Sequence, residues 1–265
     1  MYHDETVAEK LDRLVSSQVY VYQRRRILNM LNLDTATPLR VCDVGCGEGS
    51  LCRDISNLLQ HGSKVVGVDV SPFVLSIAER KERQHSLIPI QYILSDMLAL
   101  PFPDNCYDIV TCVSALKYVK TTENEEKALQ EQLRVLKPHG QLLVVDNDDY
   151  SINYEGVSVD SSLNKKVVMA YAATQGDPEA GNRLEYLFYS IGLKDVRAET
   201  IILEERCFDR LMAGYAMAEN VCDVLRESAL VTSNEINEWY QQVEGAANNG
   251  TYRWSFTKTA VVGRR

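Results

Sequence analysis

No window of this 265-residue chain approaches the ~18 consecutive apolar residues that a membrane-spanning helix needs, so no membrane partner is expected. The opening stretch, MYHDETVAEK, is charged and has no apolar centre, which reads as no signal peptide and a cytoplasmic protein. Positive charge is also in short supply. Lys and Arg number 28 against 37 Asp and Glu, and the net charge of −9 disfavours a nucleic-acid partner because like charges repel. The densest basic run, Arg24-Arg25-Arg26, is short and lies within a helical pattern, as a solvated helix face does. There is no C-x-x-C pair, and Cys42, Cys46 and Cys52 have no neighbouring histidine, which argues against zinc and redox motifs. The seven cysteines are scattered, and several sit in apolar runs where a free thiol behaves as a small hydrophobe. Internal repeats and low-complexity linkers are absent as well.

What is present is a rhythm. At ~150 residues per domain, the length suits one large domain, 1–265, and 45% hydrophobic residues can fill its core. Residues 5–31 carry helical spacing, broken at Thr37-Pro38. Strands are then predicted at 40–44, 64–70, 89–96, 107–115 and 141–147. Helices are predicted between them at 48–60, from Ser71-Pro72 to about 85, and at 122–136. Residues 150–180 lose clear periodicity and read as an insertion over the carboxyl edge of the sheet. A helix at 182–193, a strand at 196–207, helices within 208–246 and a final strand at 253–265 follow. Strands alternating with helices imply βαβ units, a mostly parallel sheet and helices on both faces. Ligands bind such sheets beyond the carboxyl ends of the strands.

Those ends carry chemistry. After the first strand comes VCDVGCGEGSL, with Asp43, Gly45, Cys46, Gly47 and Gly49. Glycines there permit a tight turn and close approach of a ligand to backbone. The order D-x-G-x-G-x-G departs from the dinucleotide pattern G-x-G-x-x-G, since Ser50 holds the later position, and the Lys-Ser/Thr of a phosphate loop is missing. The second strand ends at Asp69-Val70, where a carboxylate can accept both hydroxyls of an unphosphorylated ribose. The third ends at Ser95-Asp96-Met97, where a carboxylate can accept from an exocyclic amine. One such Asp is commonly a turn or capping residue; three at consecutive strand ends beside a glycine loop form a pattern.

At these residues the chain resembles the class I S-adenosylmethionine-dependent methyltransferases, in particular the ubiquinone/menaquinone-biosynthesis and small-molecule branch. VCDVGCGEGSL is similar to the family's first motif and VVGVDVSPFVL to its second; SDMLALPFPDNCYDIV and LRVLKPHGQLLVVD match later regions in order. The resemblance covers about residues 20–147. It implies a Rossmann-like α/β fold with a seven-stranded, mostly parallel sheet, an antiparallel last strand and a helical lid. It implies that Gly45, Gly47 and Gly49 line the methionine moiety, Asp69 holds the ribose, Asp96 and Met97 meet the adenine, and Val113-Ser114 pass the methionyl end. His139 and Lys117 depart from the residues usual at their places in the family.

Methyl transfer from a sulfonium needs alignment of a nucleophile and exclusion of water, with a base where the acceptor is a hydroxyl. Lys117, Tyr118 and Asp146 are the expected catalytic groups, and Tyr22, Tyr150 and Tyr154 the expected substrate contacts. Arg26 shares a helical face with Val19 and Tyr22 and is expected to reach the methionine carboxylate, with Arg24 as its competitor. Asp146-Asn147 is reminiscent of metal-dependent relatives, but VSALKYV after the fourth strand has no carboxylate, so no metal is expected. Other readings of VVDNDDY are a draw for a cationic substrate or a solvated cluster.

The expected layout is an N-terminal helical lid at 1–36, a cofactor-binding core at 38–147, and substrate-covering insertions at 150–180 and 208–246, with Phe208, Tyr215 and Met217 lining a pocket. The expected function is an O- or N-methyltransferase for a small molecule, acting as monomer or homodimer. An NAD-dependent oxidoreductase, a non-catalytic cofactor-binding protein and a protein substrate stand as alternatives.

Overall fold

The computed structural model describes residues 11–12, 14–33, 36–85, 88–119, 121–156, 161–174, 176–207, 225–226 and 230–265. Seven strands form one sheet: β1 (Arg40–Val44), β2 (Lys64–Asp69), β3 (Ile90–Leu94), β4 (Tyr107–Val113), β5 (Leu136–Glu155), β6 (Lys194–Glu205) and β7 (Arg253–Arg264). Their order is β3-β2-β1-β4-β5-β7-β6. The pairs among β1 to β5 are parallel, and β7 lies antiparallel between β5 and β6. The chain walks outward from β1 to β3 and then crosses to β4 on the other side of β1. That reversal opens the crevice between β1 and β4.

The helices bounded within the described residues are α1 (Gln18–Met30), α2 (Ser50–Ser56), α3 (Pro72–His85), α4 (Thr122–Val135), α5 (Ser161–Ala172), α6 (Ala180–Ser190) and α7 (Ser233–Asn248), with a short 3-10 turn at Leu116–Tyr118. Alternation along each strand assigns the faces. Val41, Val65, Ile109 and Leu143 pack with Ile27 and Met30 of α1 and Ile55 of α2. Their chain neighbours Cys42, Val66, Val110 and Val144 pack with Leu129 of α4 and Leu184 and Phe188 of α6. Both faces are covered, which is why these strands read as continuous apolar runs. Thr121 caps α4 through the Asn124 amide, with Glu123 and Glu125 in its first turn. Thr232 and Glu235 close a reciprocal capping box on α7.

Three stretches differ from the sequence expectation. The helix expected over 5–31 is interrupted at Ser16-Ser17, where Ser17 is extended (φ −68°, ψ 155°) and α1 begins afresh. Serine side chains compete for backbone hydrogen bonds, and Arg24 covers the freed Val15 carbonyl at 2.6 Å. The fifth strand is 20 residues long, not seven, and runs to Glu155. Beyond Asp148 it resumes pairing with β7 after a register shift, so part of the expected irregular insertion is strand. The rest includes α5, whose Val167 and Val168 are buried. Phe208, Tyr215 and Met217 lie outside the described residues, as do residues 1–10 of the expected lid. No helix among the described residues is long and apolar enough to cross a membrane.

Candidate active site

The loop after β1 is held from two sides. The Gly45 and Cys46 amides both donate to the Val68 carbonyl of β2, at 2.7 and 2.9 Å. Gly47 donates to the Asp69 carboxylate at 2.9 Å, and the other oxygen of Asp69 accepts from Ser71 at 2.9 Å. Burial raises the Asp69 carboxyl, and those amide hydrogen bonds oppose the rise. Gly45 (φ 71°) and Gly49 (φ 79°) adopt the left-handed conformation, and a side chain on either would collide, with Ala115 and with the Tyr92 hydroxyl respectively. Both positions therefore need glycine. At Gly47 an added Cβ would meet, among the described residues, only Leu11 Cδ2, at an ordinary contact distance of 3.5 Å.

Beneath the loop, Glu48 and Arg53 form a buried brace. Arg53 donates to the Glu48 carbonyl at 2.7 Å and to its carboxylate at 2.5 Å, while that carboxylate also accepts from the Ser50 amide at 3.0 Å. Asp43 is 2% exposed and accepts from Thr111 at 2.7 Å and from the Cys52 thiol at 3.5 Å. Burial pushes the Asp43 carboxyl up to about 7. Asp43 thus lies under the loop, bound to its supports. Cys52, whose thiol it engages, is more than filler. Cys46 packs where Gly67 of β2 has no side chain.

Asp96 lies beyond the end of β3. One of its oxygens accepts from Leu98 at 2.9 Å, and the other takes no hydrogen bond among the described residues. Val70 is 51% exposed despite its apolar side chain, and Met97 is half-buried. Apolar surface beside open carboxylate oxygens suits a ligand with a flat ring and polar edges. Together with the glycine loop, these residues fit S-adenosylmethionine.

On the β4 side, Ser114 takes φ 55° and donates its amide to Val145 at 2.7 Å. Such a conformation is uncommon for a residue with a side chain and brings Ala115 against Gly45. Behind Ser114 lies a buried polar cluster. Asp146 accepts from the amides of Lys117 and Asn147, both at 2.9 Å. The Lys117 ammonium pairs with Asp149, which also accepts from the Asn147 side chain at 3.0 Å. Burial raises the carboxyls of both Asp146 and Asp149. Lys258 of β7 donates to the Ser114 hydroxyl at 2.6 Å, and burial lowers its amine.

The structure therefore brings Gly45, Gly47, Gly49, Asp69, Val113 and Ser114 to one region, with Val70, Ser95, Asp96 and Met97 at the adjoining strand ends. Lys117 and Asp146 are near it but spend their polar groups on each other's neighbourhood, locking the 3-10 turn to β5. Tyr118 is half-buried on that turn. Arg26 is a correction: it is turned to β6 and pairs with Glu199, with the Tyr22 hydroxyl as second acceptor at 2.8 Å. Tyr22 is thereby taken up on the same exposed face. Arg24 binds Asp54 at 2.6 Å. Tyr154 is also a correction, since its ring packs edge-on against Trp239 at 5.0 Å and fills the core under the β5 arm. Tyr150 is exposed.

Lys258 was missed by the sequence reading, and its signal was there. Trp254, Phe256, Lys258 and Ala260 alternate on the buried phase of β7, so a lysine stands where an apolar residue belongs. Thr111 gave no signal. A groove of about 420 Å³ between Asn29, Asn32, Gln141 and Arg197 lies at the opposite end of the strands and is separate from this site.

Residues 42–144 match the family model described as a methyltransferase domain. A demethylmenaquinone methyltransferase from Thermus thermophilus is 38% identical over 136 residues, which cover 51% of this chain and 59% of that protein. The chain thus matches a little over half the length of such a relative. The fold is similar to that of YcgJ from Bacillus subtilis (TM-score 0.58, 17% identity, 92% of this chain and 98% of that one). It is also similar to phosphoethanolamine N-methyltransferase 2 from Haemonchus contortus, solved with S-adenosyl-L-methionine (TM-score 0.59, 18% identity, 98% and 57%).

Proposed function

We propose that this chain is a class I S-adenosylmethionine-dependent methyltransferase and that it transfers a methyl group from S-adenosylmethionine to a small-molecule acceptor. The observation that carries this reading is the left-handed Gly45–Gly49 loop tied by Gly47 to Asp69, with one oxygen of the Asp96 carboxylate unengaged among the described residues at the next strand end. A nicotinamide cofactor would need a different glycine order in that loop.

In this reading Gly45, Cys46, Gly47 and Gly49 form the cradle, Asp69 accepts the ribose hydroxyls, and Val70, Ser95, Asp96 and Met97 surround the adenine. Val113 and Ser114 bound the reacting end. The cofactor supplies, when bound, an electrophilic methyl carbon on a sulfonium. The chain's own task is to orient the acceptor on the Ser114 side and keep water from it. Sequence reading favoured oxygen or nitrogen as acceptor atom. A relative 32% identical is named a ubiquinone/menaquinone biosynthesis C-methyltransferase, so carbon is admitted beside them. A cytoplasmic monomer or homodimer, with no nucleic acid or membrane as partner, belongs to the same proposal, as does the division into a lid at 1–36, a core at 38–147 and coverings at 150–180 and 208–246.

Calorimetric titration with S-adenosylmethionine and S-adenosylhomocysteine tests it, with NADH as control and Asp69→Ala as the site variant. Micromolar binding of the first two, lost in the variant, is expected. Folded protein that binds neither overturns the reading.

A further inference from the structure

We propose that Lys258 is a substrate-contacting residue of this site: its amine, held at Ser114, takes the proton of a weakly acidic hydroxyl on the methyl acceptor and then holds the oxygen anion that results. Acceptors are accordingly enols or phenols. The inference rests on the methyl-transfer reading above.

The first argument is an imbalance of partners. Lys258 is 1% exposed. A buried lysine is ordinarily paired with a carboxylate. Lys117, buried in the same cluster, has Asp149. Lys258 has no carboxylate within ion-pair distance among the described residues. Its amine makes one hydrogen bond, to Ser114 at 2.6 Å, and faces the rings of Tyr20 and Phe256 at 5.0 and 5.4 Å from their centroids. Ring faces tolerate a cation, but an ammonium carries three donors, and two of them have no oxygen acceptor among the described residues. Directly across the ladder, Asn147 holds a buried Oδ1 that accepts no hydrogen bond. Two unfilled polar groups side by side in the interior call for a polar molecule that brings what they lack.

The second argument is place. Ser114 is followed by Ala115, which lies against Gly45 of the cradle. The amine is therefore one hydrogen bond from the turn that bounds the reacting end. The strained φ of 55° at Ser114 presents its hydroxyl there.

The third argument is which groups are left to accept a proton. Both oxygens of Asp146 are held by backbone amides, and Asp149 is committed to Lys117 and Asn147. The groups facing Lys258 are Asp146 and Asp149 from β5 and Lys117 from the 3-10 turn. Burial and Lys117 lower its amine, the two aspartates oppose them, and the net shift is downward from 10.5. A neutral amine is thus accessible. In the step, the acceptor's O–H bond breaks, its electron pair stays on oxygen, and the proton joins the Nζ lone pair. An ammonium–oxyanion pair replaces two neutral groups, so the charge of the site is unchanged. The oxygen, or a ring or chain carbon conjugated with it, becomes the nucleophile.

The test uses the full chain saturated with S-adenosylhomocysteine, with nitrophenols as probes because ionisation changes their absorbance. Calorimetry first establishes S-adenosylhomocysteine binding in wild type, Lys258→Met and Lys258→Arg. If wild type does not bind it, the methyl-transfer reading fails, and this inference fails with it. If all three bind it, absorbance is read below each probe's own pKa. Wild type is expected to show bound phenolate, and Lys258→Met at least tenfold less. Lys258→Arg is expected to keep the phenolate signal but to release the phenol's proton to the buffer, read as a buffer-dependent heat. Equal phenolate signals in wild type and Lys258→Met, or no phenolate in wild type, overturn the role of Lys258 while leaving cofactor binding intact.

Discussion

Thr111 of β4 donates its hydroxyl to the carboxylate of Asp43 of β1 at 2.7 Å, beneath the glycine loop and out of contact with solvent. An acid in that position carries a pH dependence. The folded-state value of Asp43 is raised by burial from an ordinary 3.8 to about 7. Between those values the folded chain binds the proton more tightly than the unfolded chain does. The stabilisation this affords is full below the unfolded value and is lost as pH rises through the folded one. Asp43→Asn, which keeps an acceptor for Thr111, should therefore gain in melting temperature relative to wild type as pH rises from 4 to 8. Thermal melts across that range check it, and a constant difference would show that Asp43 does not titrate there.

Gly45→Ala should abolish cofactor binding. It forces a side chain into Ala115 at φ 71°, a conformation and a collision that together cost ~1–3 kcal/mol or more. Gly62 has a positive φ too, but an added Cβ there meets the Pro38 ring at 3.4 Å, an ordinary contact. Gly62→Ala should accordingly cost only stability. Titration with S-adenosylhomocysteine beside thermal melts separates the two.

Removing Glu48 leaves the Arg53 charge without its carboxylate, and removing Arg53 leaves Glu48 with only Lys81, at the longer distance of 3.5 Å. Arg53→Met and Glu48→Gln should each destabilise the chain by about 3–5 kcal/mol. The double variant should cost less than the two singles combined, because no unpaired charge remains. Denaturant midpoints of the four proteins close the cycle.

The two buried lysines should respond in opposite directions to the same replacement. Lys117→Met strands Asp149 and should destabilise the chain by about 3–5 kcal/mol. Lys258→Met strands no paired carboxylate and swaps a buried amine for an apolar side chain of similar length, so stability should hold or rise. Any advantage of Lys258→Met should shrink toward high pH. The folded amine of wild type sheds its proton before the unfolded one, which relieves the cost of burying a charge. Melts at pH 6 and pH 9 compare them.

The parallel half of the sheet was legible strand by strand, with β1 matching at both ends and one or both ends of each of the others shifted. RVCDV, KVVGVD and YDIVTCV announce themselves because strands buried on both faces leave no room for polar alternation. The extended fifth strand was not legible. Beyond Asp148, DYSINYE is polar and becomes strand by pairing with β7, a partner a hundred residues away. Arg26 shows the same limit at a side chain. Helical spacing placed it beside Tyr22, correctly, but could not say that this face meets β6 and Glu199.

The sequence by itself determined the order of strands and helices, the glycine turn, and the acids at the strand ends, since each depends on local φ/ψ preference and periodicity. Only the tertiary structure decided how charges are shared. It paired Lys117 with Asp149, spent Asp146 on backbone amides, and left Lys258 with a serine and two rings. Whether a buried charge is neutralised depends on which distant strands are brought within a few ångströms, and the interior makes that difference large by excluding water.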